Sequence, residues 1–339
     1  MKSLTEAIAL RDRAIQLLEL ADAMPDADRR RALLHFVVVG GNFSGVEVAG
    51  EFDVFLREAS RYYKNVHAGE CTITLVERAD RILSALDRDL SEYAVEHMKR
   101  RGIKIRLQTT VESLDTEHVL LSSGEVLPTH TVVWCAGIAP NPLIGKLSLP
   151  VDDRGYILCE RDLRVRGFQN VWAIGDCAVN TDREGHPYPA TAQHAVGQAQ
   201  HLAHNLVTAL KGGSALPCDI RSRGALAGLG CRTAVAKIFG LKLAGFPAWF
   251  VWRTVYLLKM PGWARRIRVA LDWAMNLLFP RDYVEPASTL LDGAHPRASQ
   301  QLRKRSQALP LLQKSATAHV KSARLICEAR DDLLKVTKP

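Results

Sequence analysis

Apolar residues repeat at two different periods along the first half of the chain. Over residues 4–24 they fall at helical spacing, from Leu4 and Ile8 to Ile15 and Leu18, with charges on the opposite side. This predicts an amphipathic helix that is closed by the polar stretch PDADRRR. The next apolar run, HFVVV, is continuous and predicts a buried strand. A glycine turn and the helical stretch VEVAGEFDVFLREASRYY follow it.

The alternation of strands and helices continues as far as Gly137. TITLVE (72–77) is the next predicted strand, and residues 89–102 form a predicted helix that ends on a glycine. Residues 104–137 alternate in the manner of strands, with a hairpin at Ser123–Gly124. Together these elements predict a compact α/β unit.

The second half of the chain has a different pattern. GYILCE and NVWAIGD are predicted strands, and residues 191–213 form a long predicted helix that ends at a glycine pair. Residues 248–279 combine wide apolar faces with interspersed arginines, and the polar positions Arg268, Asp272 and Asn276 recur every four residues. A helix with so much apolar circumference suits an interface better than water.

The composition describes a folded protein whose positive charge lies late in the chain. At 339 residues and 47% hydrophobic content it can bury a large core and form two or three structural units. The formal net charge is +9, and the excess lies in WARRIRVALDW and QLRKRSQ. Nucleic acid and a lipid headgroup layer are both candidate partners for this charge, and a solvated basic face is the third interpretation. The polar residues 287–339 predict a loosely attached helix or disorder.

The seven cysteines exclude several kinds of site. They are scattered, odd in number and never spaced as C-x-x-C, so no disulfide framework, zinc site or redox-active cysteine pair is predicted. This usage favours a reducing compartment. The N-terminus lacks a signal-type apolar run, and 18 uncharged apolar residues never run together. We therefore expect neither export nor a membrane-spanning helix.

A glycine-rich turn lies between the HFVVV strand and the helix that follows. Gly40 permits the tight turn and Gly45 permits close packing of helix on strand, while free N–H groups at the helix start hold a pyrophosphate. Asn42 stands where the G-x-G-x-x-G pattern has its middle glycine, and asparagine tolerates positive φ better than most residues. We expect weakened but not abolished dinucleotide binding, with a non-binding glycine turn as the alternative. The predicted loop comprises Gly40, Gly41, Asn42, Phe43, Ser44 and Gly45.

Two sets of carboxylates accompany this loop. Glu77 ends the TITLVE strand, where a carboxylate accepts hydrogen bonds from an adenosine 2′-hydroxyl and repels a 2′-phosphate, which favours NADH over NADPH. The neighbouring Arg78 weakens this argument, and an exposed strand-end glutamate is the alternative. Glu47 and Glu51 lie at i,i+4 on one helix face beside an apolar strand layer. They are functional, paired with other groups, or a solvent-facing pair.

Five motifs in order resemble the pyridine-nucleotide flavoprotein family, and specifically type II NADH dehydrogenases. They are FVVVGGNFSGVEVAGE, LVERADRIL, TVVWCAG, VWAIGD and TAQHAVGQA, and the similarity covers roughly residues 3–286. The resemblance implies two Rossmann-type domains that bind FAD and NADH, and a C-terminal region attached to the membrane surface. It also implies hydride transfer from NADH to FAD and then electron transfer to a membrane quinone.

The resemblance assigns roles to individual residues. Ala136 and Gly137 would lie beside the NADH held by the glycine loop and Glu77, and Gly175 and Asp176 would bind the ribityl region of FAD. Glu47 and Gln193 are the implied catalytic residues at the flavin and quinone, with Ala192 beside the flavin. Gly197 stands where many members have a second glutamine, and Gln198 follows it. His194 and His201 lie seven residues apart, which does not suffice for a metal.

The C-terminal aromatic and basic residues are the predicted membrane contacts. The amphipathic rings are Trp249, Trp252, Tyr256, Trp263 and Trp273, and the cations that would meet anionic lipid are Arg253, Lys259, Arg265, Arg266 and Arg268. We expect peripheral, monotopic attachment to the cytoplasmic face of the membrane and no nucleic acid partner. The alternative is that these aromatics form a domain core or a homodimer interface.

The expected fold class is α/β, with a Rossmann-type NAD-binding domain inserted in a partial FAD-binding domain and followed by an amphipathic helical membrane-docking region. The expected divisions are a helical lead-in from the FAD domain (1–34), the NAD(H)-binding domain (35–148), the C-terminal part of the FAD domain (149–213), the membrane region (214–286) and a basic tail (287–339). No second glycine fingerprint for the ADP part of FAD occurs in the sequence. Three explanations stay open: a truncated start, a split enzyme completed by an N-terminal FAD-segment chain, or an NADH-binding remnant without turnover. A soluble flavoprotein reductase of another acceptor, such as ferredoxin, is the alternative enzyme.

Overall fold

The computed structural model describes residues 3–222 and 224–278. Its helices are α1 (Leu4–Asp22), α2 (Ala27–Leu33), α3 (Phe43–Ala59), α4 (Arg88–Arg100), α5 (Ala192–Leu210), α6 (Phe246–Lys259) and α7 (Trp263–Leu278). Its strands are β1 (His35–Val39), β2 (Thr72–Val76), β3 (Lys104–Arg106), β4 (Val111–Leu114), β5 (His118–Leu121), β6 (Val126–Pro128), β7 (Thr131–Trp134), β8 (Ile157–Leu158), β9 (Ala178–Val179), β10 (Gly224–Gly230), β11 (Thr233–Ile238) and β12 (Leu241–Gly245). The predicted basic tail lies outside the described residues.

A four-stranded parallel sheet forms the centre of the first half. Its order is β3-β2-β1-β7, and the central strand β1 is buried along its whole length, as the continuous apolar run predicts. Helices α1, α3 and α4 contribute buried residues to the same core, in which Leu17 and Leu18 share a cluster with Phe36 and Leu75. The side chains of α1 therefore belong to the core that surrounds β1.

Local capping explains where the helices begin. Ser3 and Glu6 form a reciprocal capping box at the start of α1. The stretch PDADRRR does not simply close that helix, because Asp26 accepts hydrogen bonds from the N–H groups of Asp28 and Arg29 and so starts α2. Further along, the buried Asp53 of α3 bonds Arg57 and Arg101, which ties α3 to the end of α4.

The segments after β3 are irregular compared with the sheet. Strands β4, β5 and β6 form an antiparallel meander with a turn at Gly124, at the predicted hairpin. The prediction that NVWAIGD is a strand is wrong. Within this segment, Trp172 alone forms a β-bridge, an isolated one to Arg164. A 3₁₀ turn at Gly175–Cys177 follows and precedes β9.

An antiparallel sheet that the sequence did not indicate packs against α3. Strands β10, β11 and β12 form it, and α6 lies on it. The backbones of α3 and β10 approach so closely that a Cβ on Gly50 would lie 2.4 Å from the Leu229 carbonyl oxygen. Glycine is needed at Gly50 for this contact. Within the described range, we find no helix with both the length and the apolar content to cross a bilayer.

Candidate functional site

The glycine loop occupies the connection between β1 and α3. Gly40 adopts φ 108°, and a Cβ there would lie 2.8 Å from the Ala136 nitrogen. A Cβ on Gly45 would lie 1.8 Å from the Gly40 carbonyl oxygen, so both positions require glycine. The segment that follows β7 therefore lies directly against the loop, and the structure brings Ala136 to it.

Asn42 stabilises this loop in a different way from the one that the sequence predicts. Its φ is −75°, so its tolerance of positive φ is not used, and that part of the prediction is wrong. Instead it caps α3, because its Oδ1 accepts a hydrogen bond from the Gly45 N–H at 3.0 Å. Its Nδ2 donates to the Cys135 carbonyl at 2.8 Å. The N–H groups of Phe43 and Ser44, in the first turn of α3, have no acceptor within the helix.

Glu77 lies immediately beside the loop. Its carboxylate accepts hydrogen bonds from the backbone N–H of Gly41 and, at 2.7 Å, from that of Ala79. These two backbone donors fix a half-buried carboxylate next to the glycine turn. Arg78 is exposed to solvent. The arrangement places a negative charge at the end of β2, where it can accept hydrogen bonds from a ribose and repel an added phosphate.

A cleft of about 380 Å³ joins three of the motifs. Gly137 of WCAG lines it together with Gly175 and Asp176 of AIGD and with Thr191 and His194 at the start of α5. Asp176 does not follow a buried strand, as predicted, but lies in the exposed part of the 3₁₀ turn. Its carboxylate has no hydrogen bond or ion pair to any other described residue. It is therefore available to hydroxyl groups of a ligand.

The start of α5 forms one wall of this cleft. Thr191 caps the helix, and its Oγ1 contacts the Nδ1 of His194 at 2.7 Å. Burial lowers the pKa of His194, which favours the neutral imidazole. Ala192 and Gln193 lie between these two residues, and the buried Nε2 of Gln193 has no hydrogen-bond partner among the described residues. A buried amide without a partner is costly. Neither Ala192 nor Gln193 is among the residues that line the cleft, so the structure does not bring these two predicted site residues to it.

Glu47 lies apart from the residues that line the cleft, against the C-terminal sheet. Its Oε1 accepts hydrogen bonds from the Gly228 N–H at 3.1 Å and from Trp252 Nε1 at 3.3 Å. Burial raises the pKa of Glu47, and these two hydrogen bonds oppose the shift. Glu51 is exposed, so the two carboxylates do not form an equivalent pair. The partners Gly228 and Trp252 were not indicated by the sequence.

The predicted membrane residues divide into two groups. Trp249 of α6 is 8% exposed and packs against Ala234 and Ala236 of β11. The prediction that it contacts lipid is therefore wrong. Trp263 is 72% exposed at the start of α7. Arg253 lies between the rings of Trp249 and Trp273, at 4.7 and 4.3 Å from their centroids, which joins α6 to α7. Other exposed apolar side chains on these helices are Phe246, Phe250, Leu258, Ile267, Leu271 and Met275.

Comparison with known proteins identifies relatives of both halves of the chain. Residues 6–199 match the family model of the pyridine nucleotide-disulphide oxidoreductases, and residues 223–282 match that of the NDH2 C-terminal domain. A probable NADH dehydrogenase of Dictyostelium discoideum is 32% identical over 83% of this chain and 63% of its own length. A type II NADH:quinone oxidoreductase of Mycobacterium tuberculosis is 28% identical over 83% of this chain and 62% of its own length.

A solved structure shares the fold. The NDH2 of Plasmodium falciparum in complex with NADH superposes with a TM-score of 0.76 at 19% identity, over 84% of this chain and 74% of that one. This likeness confirms the predicted α/β fold. The chain spans between half and two thirds of the length of the first curated relatives that it matches.

Proposed function

Because this chain belongs to the pyridine nucleotide-disulphide oxidoreductase family, and within it to the type II NADH dehydrogenases, we propose that it takes part in the reduction of a membrane quinone by NADH through FAD. One observation carries the proposal. The WCAG segment contacts the glycine loop at Ala136 and lines the cleft at Gly137, so one short segment connects the two sites.

In this proposal the glycine loop and Glu77 hold NADH. The first-turn N–H groups of α3 bind the pyrophosphate, and the Glu77 carboxylate accepts hydrogen bonds from the ribose 2′-hydroxyl. Asn42 occupies the N–H of Gly45, which leaves Phe43 and Ser44 as donors. Residues 35–148 then form the NAD(H)-binding domain, and residues 149–213 supply part of the FAD-binding domain.

The residues of the cleft fit the ring and ribityl end of FAD. Asp176 would accept hydrogen bonds from the ribityl hydroxyls, and Gly175 would let the backbone approach closely. Gln193 does not line the cleft, and its buried Nε2 would have to turn outward to reach the ring. FAD held by these residues would supply the redox chemistry that connects a two-electron nicotinamide donor to a quinone. Ala192, as the first residue of α5, adds a backbone N–H and the positive end of the helix dipole.

A flavin-binding segment beyond the residues described is part of the proposal. An apolar stripe spaced by three and four residues along α5 is exposed to solvent, although such stripes are normally covered. It consists of Val196, Ala199, Ala203, Leu206 and Leu210. We propose that a segment that grips the ADP part of FAD covers this stripe, either in a longer form of this chain or on a second chain.

The C-terminal helices supply the membrane contact in this proposal. The exposed apolar residues of α6 and α7, with basic neighbours such as Arg265 and Arg268, suit a peripheral position on an anionic cytoplasmic lipid surface. Residues 214–286 would then form the membrane region. Glu47, which is bonded to Trp252 of α6, would exchange a proton with a quinone that enters from this side.

The test is to purify the chain and record its visible spectrum and its NADH:quinone activity, with and without added FAD. A yellow protein, or activity that added FAD restores, supports the proposal, and a yellow, active protein without additions removes the need for the extra segment. A colourless protein that binds NADH and gains no activity would instead identify an NADH-binding remnant. Sedimentation with anionic vesicles at low salt tests the membrane contact, which fails if the protein stays in solution.

A further inference from the structure

Helix α5 is buried through polar side chains. Its buried residues are His194, Gln198 and Asn205. Gln198 is 3% exposed, and its Oε1 accepts a hydrogen bond from the Gly175 N–H at 2.7 Å. The same oxygen lies 3.3 Å from Nδ2 of the buried Asn180. One amide oxygen on α5 thus accepts hydrogen bonds from two groups outside the helix.

The group that Gln198 holds is the turn that carries Asp176. Gly175 begins this turn with φ 72°, a conformation that L side chains rarely adopt. Asn180 also donates to the Ala173 carbonyl at 3.2 Å, which fixes the chain just before the turn. The Asp176 carboxylate has no partner of its own in the described part of the chain. The backbone that Gln198 holds therefore sets the position of the Asp176 Cα and the direction of its Cα–Cβ bond, from which the carboxylate rotates.

A neighbouring position explains why this contact falls at Gln198. A Cβ on Gly197 would lie 3.2 Å from Ile220 Cδ1. The Ile220 side chain thus occupies the space beside Gly197. The next residue, Gln198, is rotated by about 100° around the helix, and it faces the Gly175 turn.

We propose that Gln198 is a positioning residue, which fixes the Gly175 N–H so that Asp176 presents its carboxylate to the hydroxyls of a flavin. The inference rests on the proposed function, in which a flavin occupies the cleft. Gln198→Met keeps the length of the side chain and removes the acceptor, whereas Gln198→Glu keeps an acceptor oxygen. Gln200→Met is the matched control, because Gln200 is exposed on the same helix.

The first measurement needs no flavin. Amide hydrogen exchange of Gly175 should speed up in Gln198→Met and stay slow in Gln198→Glu and Gln200→Met. The second is the dissociation constant of FAD, titrated into each full chain. We expect roughly ten-fold weaker FAD binding in Gln198→Met, the size of effect that one displaced hydrogen bond produces, with NADH binding unchanged.

A double-mutant cycle separates positioning from general structural damage. If Gln198 acts through Asp176, Gln198→Met should weaken FAD binding far less in an Asp176→Ala background than in the wild type. Equal effects in both backgrounds, unchanged FAD binding in Gln198→Met, or unchanged exchange at Gly175 would each overturn the inference alone. A wild-type chain that binds no FAD would overturn the proposed function as well. The exchange experiment would still test whether Gln198 holds the Gly175 N–H.

Discussion

Trp252 Nε1 on α6 donates a hydrogen bond to Glu47 Oε1 on α3 across 3.3 Å, between residues that lie 205 positions apart in the sequence. The bond connects the helix of the glycine loop to the C-terminal sheet and its helices. Glu47 accepts a second hydrogen bond from the Gly228 backbone. Because the carboxylate is otherwise removed from water, its charged form is disfavoured and its pKa is raised.

This raised pKa makes the stability of the protein depend on pH. A carboxyl group whose pKa is higher in the folded state contributes fully to the free energy of unfolding when the pH is below its ordinary pKa of 4.5. This contribution is lost as the pH rises through the pKa of the folded state. Glu47→Gln, which keeps an acceptor oxygen, should therefore raise the free energy of unfolding at pH 7 to 8 and change it little at pH 4. Urea unfolding across this range measures the difference. Glu51→Gln, at an exposed position on the same helix, should show no such trend, and a pH-independent effect of Glu47→Gln would contradict the prediction.

The close contact between α3 and β10 leads to a second prediction. A Cβ on Gly50 would lie 2.4 Å from the Leu229 carbonyl oxygen, and backbone atoms on both sides cannot move aside cheaply. Gly50→Ala should lower the free energy of unfolding by about 2 to 3 kcal/mol, despite the better helix propensity of alanine. Gly69→Ala, where a Cβ meets nothing within 4 Å, is the control. Equal stabilities in a chemical denaturation series would show that the two backbones are not held together as described.

These contacts show which parts of the molecule were accessible from the sequence. The β1 strand, the glycine loop and α3 were predictable because apolar period and glycine position are local signals. The β10–β12 sheet was not, because GALAGLG has no alternation of apolar and polar residues. The position of this sheet depends on two contacts with α3, the approach of Gly50 to β10 and the hydrogen bond from Gly228 to Glu47. Each contact joins residues about 180 positions apart in the sequence.

The site shows the same division. The motifs identified Gly137 and Asp176 one at a time. That both line one cleft depends on tertiary contacts, such as the hydrogen bond between Asn180 and Gln198. The sequence predicted only that the side chain of Asn42 tolerates a positive φ in the turn. In the structure Asn42 caps α3 instead, because the positive φ falls on Gly40.

Asn42 offers a third prediction. Its amide bonds both the Gly45 N–H and the Cys135 carbonyl, so it stabilises the loop. In the proposed NADH complex its side chain would stand where a glycine lets the backbone approach the pyrophosphate. Asn42→Ala should lower the free energy of unfolding by about 1 kcal/mol through loss of the cap. Asn42→Gly should tighten NADH binding roughly three- to ten-fold, because the backbone can then approach the phosphates. Titration followed by nicotinamide fluorescence measures this, and weaker binding by Asn42→Gly would mean that the asparagine itself contacts the ligand.

Glu77 leads to a fourth prediction, on the choice between nicotinamide cofactors. Its carboxylate is held by the N–H groups of Gly41 and Ala79, so it cannot readily turn away from a 2′-phosphate. Glu77→Gln removes the charge and keeps only one of the two acceptor oxygens, so one of the two backbone hydrogen bonds is lost as well. We expect it to reduce the preference for NADH over NADPH roughly ten-fold. The ratio of the two dissociation constants is the measurement. Glu112→Gln, at an exposed position on β4, should leave that ratio unchanged.

The fifth prediction concerns α7 and the membrane. Ile267 and Leu271 are 57% and 63% exposed and lie one turn apart, so both can enter the interface when the helix lies flat on a bilayer. Ile267→Asn and Leu271→Asn should each weaken binding to anionic vesicles roughly ten-fold, because each removes apolar area that the lipid would cover. Leu114→Asn, at a comparably exposed leucine on β4, should have no effect on vesicle sedimentation. If all three variants sedimented like the wild type while added salt released the protein, the attachment would be electrostatic alone, and the apolar face of α7 would belong to a protein contact.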